Sequence, residues 1–110
     1  MGRYITTTGT AGTKVVEISG NYNASVNDRI LVDSTGGPLG ITLPSNGSLI
    51  LNDTIQVIDV GGAAATDNIT VSRNGSKIQG LNEDLVIDVK GSVITLIYTG
   101  SNYGWVVSGT

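Results

Sequence analysis

Carboxylates are the only catalytic acids that this sequence offers, because the chain contains no His and no Cys. Glycoside hydrolysis needs two carboxyl groups about 5 to 10 Å apart across a cleft, and no spacing along the chain identifies such a pair. Most of the Asp residues lie next to Asn, Gly, Ser or Thr near the ends of predicted strands, where side-chain hydrogen bonds cap turns. We therefore predict capping roles for most of the Asp residues and no catalytic residue in the acidic set: Glu17, Asp28, Asp33, Asp53, Asp59, Asp67, Glu83, Asp84 and Asp88.

The absence of His and Cys also excludes structural zinc sites, disulfides, cysteine nucleophiles and serine triads built on His. A calcium site is the remaining metal hypothesis, because Asn82, Glu83 and Asp84 place oxygen ligands in one turn. The chain has no Asp-x-Asp-x-Asp-Gly loop, so a solvated turn before Leu85 is the favoured interpretation. We predict neither a metal nor a cofactor.

Three aromatic residues close to the C-terminus, Tyr98, Tyr103 and Trp105, are the candidate binding residues. They could form a platform on which a sugar ring stacks. Aromatic side chains near a C-terminal strand are more often anchors of a core or an interface, and that second interpretation is favoured.

Charge and hydropathy restrict the partners. The net charge is −3 and the isoelectric point is about 4.5, which is the wrong sign for a phosphate backbone, so nucleic acid is not expected. No apolar run approaches the roughly 18 residues that a membrane helix needs, so no membrane partner is expected either.

The chain is rich in residues that favour strands: it has 12 Val, 12 Ile and 13 Thr. β-branched side chains suit a pleated surface, and frequent Gly and Asn punctuation leaves no room for an ordinary helix. The spacing predicts an all-β fold, an antiparallel β-sandwich or jelly-roll-like domain of about nine short strands. Asn74-Gly75 predicts a type I′ hairpin that pairs residues 69–73 with 76–79. The predicted strands are 3–8, 14–19, 29–33, 41–43, 54–60, 69–73, 85–89, 92–98 and 105–108.

The N-terminal 23 residues differ from the remainder because they hold a small, polar, Thr-rich stretch. We interpret residues 1–23 as an N-terminal arm or edge-strand segment, with an ordinary hairpin as the alternative, and residues 24–110 as a single sandwich domain. Several strands carry apolar residues at consecutive positions, which places them on both faces of a sheet. Burying one Val, Leu or Ile is worth roughly 1.5 to 3 kcal/mol, so outward apolar residues favour a homo-oligomer.

A series of short segments resembles a β-rich module of virion structural proteins and tail fibres of tailed bacteriophages, marine cyanophages in particular. The segments cover most of the chain in a consistent order, although residues 49–53 depart from the pattern of similar modules. They are GRYITTTGT (2–10), DRILVD (28–33), ITLP (41–44), IQVIDVGG (55–62), NITVSRNGSKIQG (68–80), VITLIY (93–98) and GWVV (104–107).

The resemblance implies a passive, usually trimeric building block on the particle exterior, made in the host cytoplasm, with no catalytic residues to transfer. We therefore expect a non-enzymatic virion structural protein, in a tail fibre or associated with one, whose partners are its own copies and other virion proteins. Two alternatives remain open. One is a decoration protein of the capsid head, and the other is a carbohydrate-binding module that recognises host surface glycan through Tyr103 and Trp105.

Overall fold

Nine β-strands and one short 3-10 turn form the part of the chain that this computed structural model describes, residues 13–109. The all-β class expected from the sequence is confirmed. The predicted strand at 3–8 lies outside the described residues, and β2 was not predicted because it is only two residues long. The elements are β1 Lys14–Ile18, β2 Tyr22–Asn23, β3 Asp28–Val32, β4 Leu39–Thr42, the 3-10 turn Asn46–Ser48, β5 Thr54–Asp59, β6 Ile69–Ser72, β7 Leu85–Ile87, β8 Val93–Tyr98 and β9 Trp105–Gly109.

The strands form two sheets that enclose a common core. The five-stranded sheet has the order β1-β3-β5-β8-β9, and the four-stranded sheet has the order β2-β4-β6-β7. From β1 to β6 the chain alternates between the sheets, so that each circuit adds one strand to each of them. Among the described strands, β1 and β2 occupy edge positions, one in each sheet.

The expectation of antiparallel pairing is wrong for four of the seven strand pairs, which are parallel. Strands β1, β3 and β5 are parallel to one another, as are β2, β4 and β6. The pairs β5–β8, β8–β9 and β6–β7 are antiparallel. A parallel pair needs a crossover, and here the crossover is a strand of the opposite sheet. Turn signals such as Gly36-Gly37 occur both in hairpins and where a chain passes from one sheet to the other, so the sequence alone does not distinguish these two kinds of turn.

The predicted hairpin at Asn74-Gly75 is half correct. The turn itself forms, with φ of 50° at Asn74 and 93° at Gly75, and the Ser76 N–H donates to the Arg73 carbonyl over 3.2 Å. The pairing of 69–73 with 76–79 is wrong, because β6 pairs with β7. The chain after the turn leaves β6 and buries Ile78, which forms a parallel bridge to Trp105.

The core is mostly aliphatic, as a chain without Phe requires. Alternate residues of each central strand point inward, and the sheets meet through branched side chains that pack densely. The largest fully buried side chains are Trp105, Ile30, Ile41, Leu43, Ile55, Ile69, Leu96, Val32, Val57 and Val71.

Candidate functional site

The three candidate aromatics do not form one platform. Trp105 is completely buried at the start of β9, and Tyr98 is almost completely buried at the end of β8. Their rings pack edge to face, with centroids 5.5 Å apart and planes at 64°. Tyr103, in the loop between β8 and β9, is 65% exposed. Of the three, Tyr103 alone presents a ring face to solvent, and Trp105 has no open face on which a sugar could stack.

A glycine fixes the loop that carries Tyr103. Gly104 has φ of 71°, and a Cβ atom at this position would lie 2.0 Å from the Lys77 carbonyl oxygen. This close approach lets the segment at 77–80 run along the outer edge of β9. The Trp105 N–H donates to the Lys77 carbonyl over 2.8 Å, and the Gln79 N–H donates to the Trp105 carbonyl over 2.7 Å. The Gln79 side-chain oxygen then accepts the Val107 N–H over 2.9 Å, so this edge of the five-stranded sheet is covered from Trp105 to Val107.

The outer surface of the five-stranded sheet combines apolar and polar side chains. The register aligns them in rows across the strands. Val60, just after β5, adds a further exposed apolar group, and with Leu31 it borders a shallow depression of about 400 Å³. We call this surface the five-stranded face; its residues are Val15, Glu17, Arg29, Leu31, Thr54, Gln56, Ile58, Val93, Thr95, Ile97, Val106 and Ser108.

The central row of the five-stranded face is a hydrogen-bonded ladder. Arg29 Nε donates to Gln56 Oε1 over 2.7 Å, and Gln56 Nε2 donates to Thr95 Oγ1 over 3.1 Å. Apolar residues flank this row on both sides, with Leu31, Ile58 and Val93 aligned on one side. The sequence analysis did not find the ladder, because the register that aligns residues 29, 56 and 95 is a property of the pairing.

The outer surface of the four-stranded sheet is polar. Alternation and register place Asn23, Thr42 and Ser72 in one row, and Gly40, Thr70 and Val86 in the next. Val86 is therefore the one apolar residue among the outward positions of these strands. We call this surface the four-stranded face.

Five of the seven Asp residues accept backbone N–H groups in turns and loops, as predicted for most of them: Asp28, Asp33, Asp53, Asp59 and Asp84. Asp59 is buried; its Oδ1 accepts the Ala63 N–H over 3.3 Å, while its Oδ2 accepts the Ala64 N–H over 3.2 Å and the Gly91 N–H over 2.9 Å. This one side chain joins the turn after β5 to the turn before β8.

Asp28 is the second buried carboxylate. Its Oδ2 accepts the Tyr22 hydroxyl over 2.7 Å and the Ser25 N–H over 2.8 Å, while Oδ1 has no hydrogen-bond partner among residues 13–109. Burial, together with the Asp28 hydrogen bond and charge, raises the pKa of Tyr22 to about 12. This arrangement holds the phenol neutral and joins β2 to the start of β3.

The exposed carboxylates cap neighbouring turns. Asp33 Oδ1 accepts both the N–H and the hydroxyl of Thr35, and these bonds lower the pKa of Asp33. Asp84 Oδ1 accepts the Arg73 N–H over 3.0 Å, so one carboxylate of the candidate calcium turn at 82–84 serves as a cap. Among residues 13–109, no group of three or more acidic side chains is arranged to hold a metal ion.

Residues 13–109 contain no helix that is long and apolar enough to cross a membrane. Comparison of the sequence with models of known protein families and with curated proteins gives no match in either case.

Proposed function

We propose that this chain is a non-enzymatic structural module of a bacteriophage virion, a homotrimer on the particle exterior that belongs to a tail fibre or is associated with one. The proposal combines the resemblance of the sequence segments to phage modules with a surface feature of the fold. It places the finished protein in the virion after synthesis in the host cytoplasm.

The observation that carries the proposal is the set of apolar side chains on the five-stranded face. Val15, Val93 and Val106 are exposed there, Leu31 and Ile58 are half-buried, and Val60 is exposed at the border of the face. Each side chain of this size gains roughly 1.5 to 3 kcal/mol when it is fully removed from water. A protein whose role is to assemble with its own copies uses such a surface, whereas a protein that acts alone carries it as a liability.

Purified particles test the virion role. We expect quantitative mass spectrometry to find this chain at a fixed copy number per particle, in multiples of three. Absence of this chain from particles that have been washed free of host protein would contradict the virion role. For the head-decoration alternative, particles that lack the protein should have heads that are weaker under heat or chelation while adsorption to the host is unchanged.

Carbohydrate recognition is the second candidate function, and the exposed ring of Tyr103 is the observation that favours it. The ring lies against Gly80, since a Cβ atom there would be 3.4 Å from Tyr103 Cδ1, and this contact holds it at the surface. Glycan-array screening with the wild type and Tyr103→Ala tests this function. A signal that Tyr103→Ala removes would support it, and an array without signal would reject it.

A further inference from the structure

We infer that three copies of the chain associate through the five-stranded face, each copy turning this face toward a common three-fold axis. The inference rests on the proposed homotrimer and identifies its contact surface. The occupant of the face is therefore a second and a third copy of the same chain.

The two outer faces of the molecule differ in the number of apolar side chains on their strands. The five-stranded face carries six apolar residues among its strand positions: Val15, Leu31, Ile58, Val93, Ile97 and Val106. The four-stranded face carries one, Val86, among Asn, Gly, Ser and Thr. Removing the first surface from water is favourable, whereas removing the second would cost the hydration of its amides and hydroxyls.

The Gln56 side chain, at the centre of the five-stranded face, already has its hydrogen-bonding groups paired within the chain. Gln56 uses its side-chain oxygen for Arg29 and its side-chain nitrogen for Thr95. Covering a polar group is costly when the group loses its hydrogen bonds to water without replacement. Because the ladder supplies these bonds from within the chain, another copy can cover Gln56 and Thr95, at the centre of the row, at a reduced cost.

The dimensions of the face fit a three-fold arrangement. Five strands have four gaps of about 4.8 Å, which gives a width of about 19 Å. The centre of an equilateral triangle with sides of this length lies about 5.5 Å from each side, close to the 5 Å that is half the usual separation of about 10 Å between packed sheets. Three such faces can therefore fill the space between them with their side chains. Gln56, in the central strand and the central row, would lie nearest the axis.

Charge and edge geometry agree with this arrangement. The face carries one acidic residue, Glu17, and one basic residue, Arg29, so its formal charge is zero on a chain of net charge −3. Copies that meet here bring no net charge together. Assembly through the β9 edge between Trp105 and Val107 is disfavoured, because the segment at 77–80 already bonds to the backbone there.

Two valines provide a matched test. Val93 on the five-stranded face is 46% exposed, and Val86 on the four-stranded face is 48% exposed. We expect light scattering at micromolar concentration to give the mass of three chains for the wild type and for Val86→Lys, but one chain for Val93→Lys. Far-UV circular dichroism should be the same for all three proteins. A trimeric Val93→Lys would overturn the inference.

Cysteine labelling examines the same surfaces without introducing a charge. The chain has no Cys, so Val93→Cys and Val86→Cys each provide a single thiol. We expect maleimide to label the thiol of Val93→Cys at least tenfold more slowly than that of Val86→Cys in the native protein, and at the same rate in denaturant. Equal native rates would overturn the inference, and they would do so even if Val93→Lys failed to fold.

The outcomes separate this inference from the proposed function. A trimeric wild type with equal labelling rates rejects the five-stranded face and leaves the homotrimer intact. A dimeric wild type rejects the three-fold arrangement, and a monomeric wild type rejects both the contact face and the homotrimer. Detection of the chain in purified virions is independent of all three results.

Discussion

Trp105 packs against the ring of Tyr98 in the interior, edge to face, with the ring centroids 5.5 Å apart. The two residues are directly opposite each other in the β8–β9 ladder. This contact connects the last strand of the five-stranded sheet to the core.

Trp105→Ala should be strongly destabilising. Truncation of a fully buried Trp removes its apolar contacts and leaves a cavity, which typically costs about 3–5 kcal/mol. Urea denaturation at a fixed protein concentration measures the change in the free energy of unfolding. Tyr103→Ala is the aromatic control, and because its side chain is exposed we expect a change within about 0.5 kcal/mol. Equal effects of the two substitutions would contradict the assigned burial.

Asp59→Asn tests the buried carboxylate that accepts three N–H groups. The substitution removes the negative charge and replaces one acceptor oxygen with an NH₂ group that faces backbone donors. Loss of a buried charged partner leaves donors unsatisfied, so we expect the free energy of unfolding to fall by about 2–4 kcal/mol. Asp88→Asn, at an exposed position, should be nearly neutral. Thermal and urea denaturation of both variants check this expectation.

Tyr22→Phe tests the hydrogen bond to Asp28 through its pH dependence. The pKa of Tyr22 is raised to about 12 from 10.0, so the folded state favours the neutral phenol. The resulting stabilisation is present below pH 10 and is lost as the pH rises through about 12.

Unfolding of the wild type and Tyr22→Phe across this range provides the measurement. At neutral pH we expect the variant to be less stable by about 1–2 kcal/mol, because Asp28 loses a hydrogen-bond donor. The difference between the two proteins should shrink between about pH 10 and 12. A difference that stays constant with pH would show that the phenol does not titrate in this way.

Gly104→Ala tests the close approach between the Tyr103 loop and the segment at 77–80. The added Cβ would meet backbone atoms of Lys77, and the positive φ is itself unfavourable for Ala, so we expect a loss of at least about 2 kcal/mol. Gly40→Ala is the matched control: the nearest atoms to its Cβ would be 3.7 Å away and its φ is outside the positive range. Denaturation curves should separate the two variants, and similar curves would contradict the contact.

The sequence predicted the strands well because their signal is local. Residues 54–60 and 92–98 hold β-branched and aliphatic residues between turn signals, and β5 and β8 form there. The parallel pairing was not predictable in the same way. It depends on contacts such as Arg29 with Gln56, which are distant in sequence, and the intervening strand lies in the other sheet.

In the candidate site, too, features set by neighbours in sequence were predictable, whereas features set by contacts distant in sequence were not. The cap interpretation is confirmed for five of the seven Asp residues, and Asp33 with Thr35 is a contact between near neighbours. The burial of Trp105 depends on Gly104 and on the segment at 77–80, which covers the edge of β9. Composition and spacing could name three aromatic residues near the C-terminus, but which of them faces water is decided by this tertiary contact.

The alternation of β1 to β6 between the two sheets has a consequence for how such a chain could change in length. Here, insertion of one more circuit before β1 would append a strand to the edge of each sheet, widening both by about 4.8 Å. The fold therefore has a built-in direction of growth, along which related chains could differ in size by whole circuits while keeping their existing strand pairs.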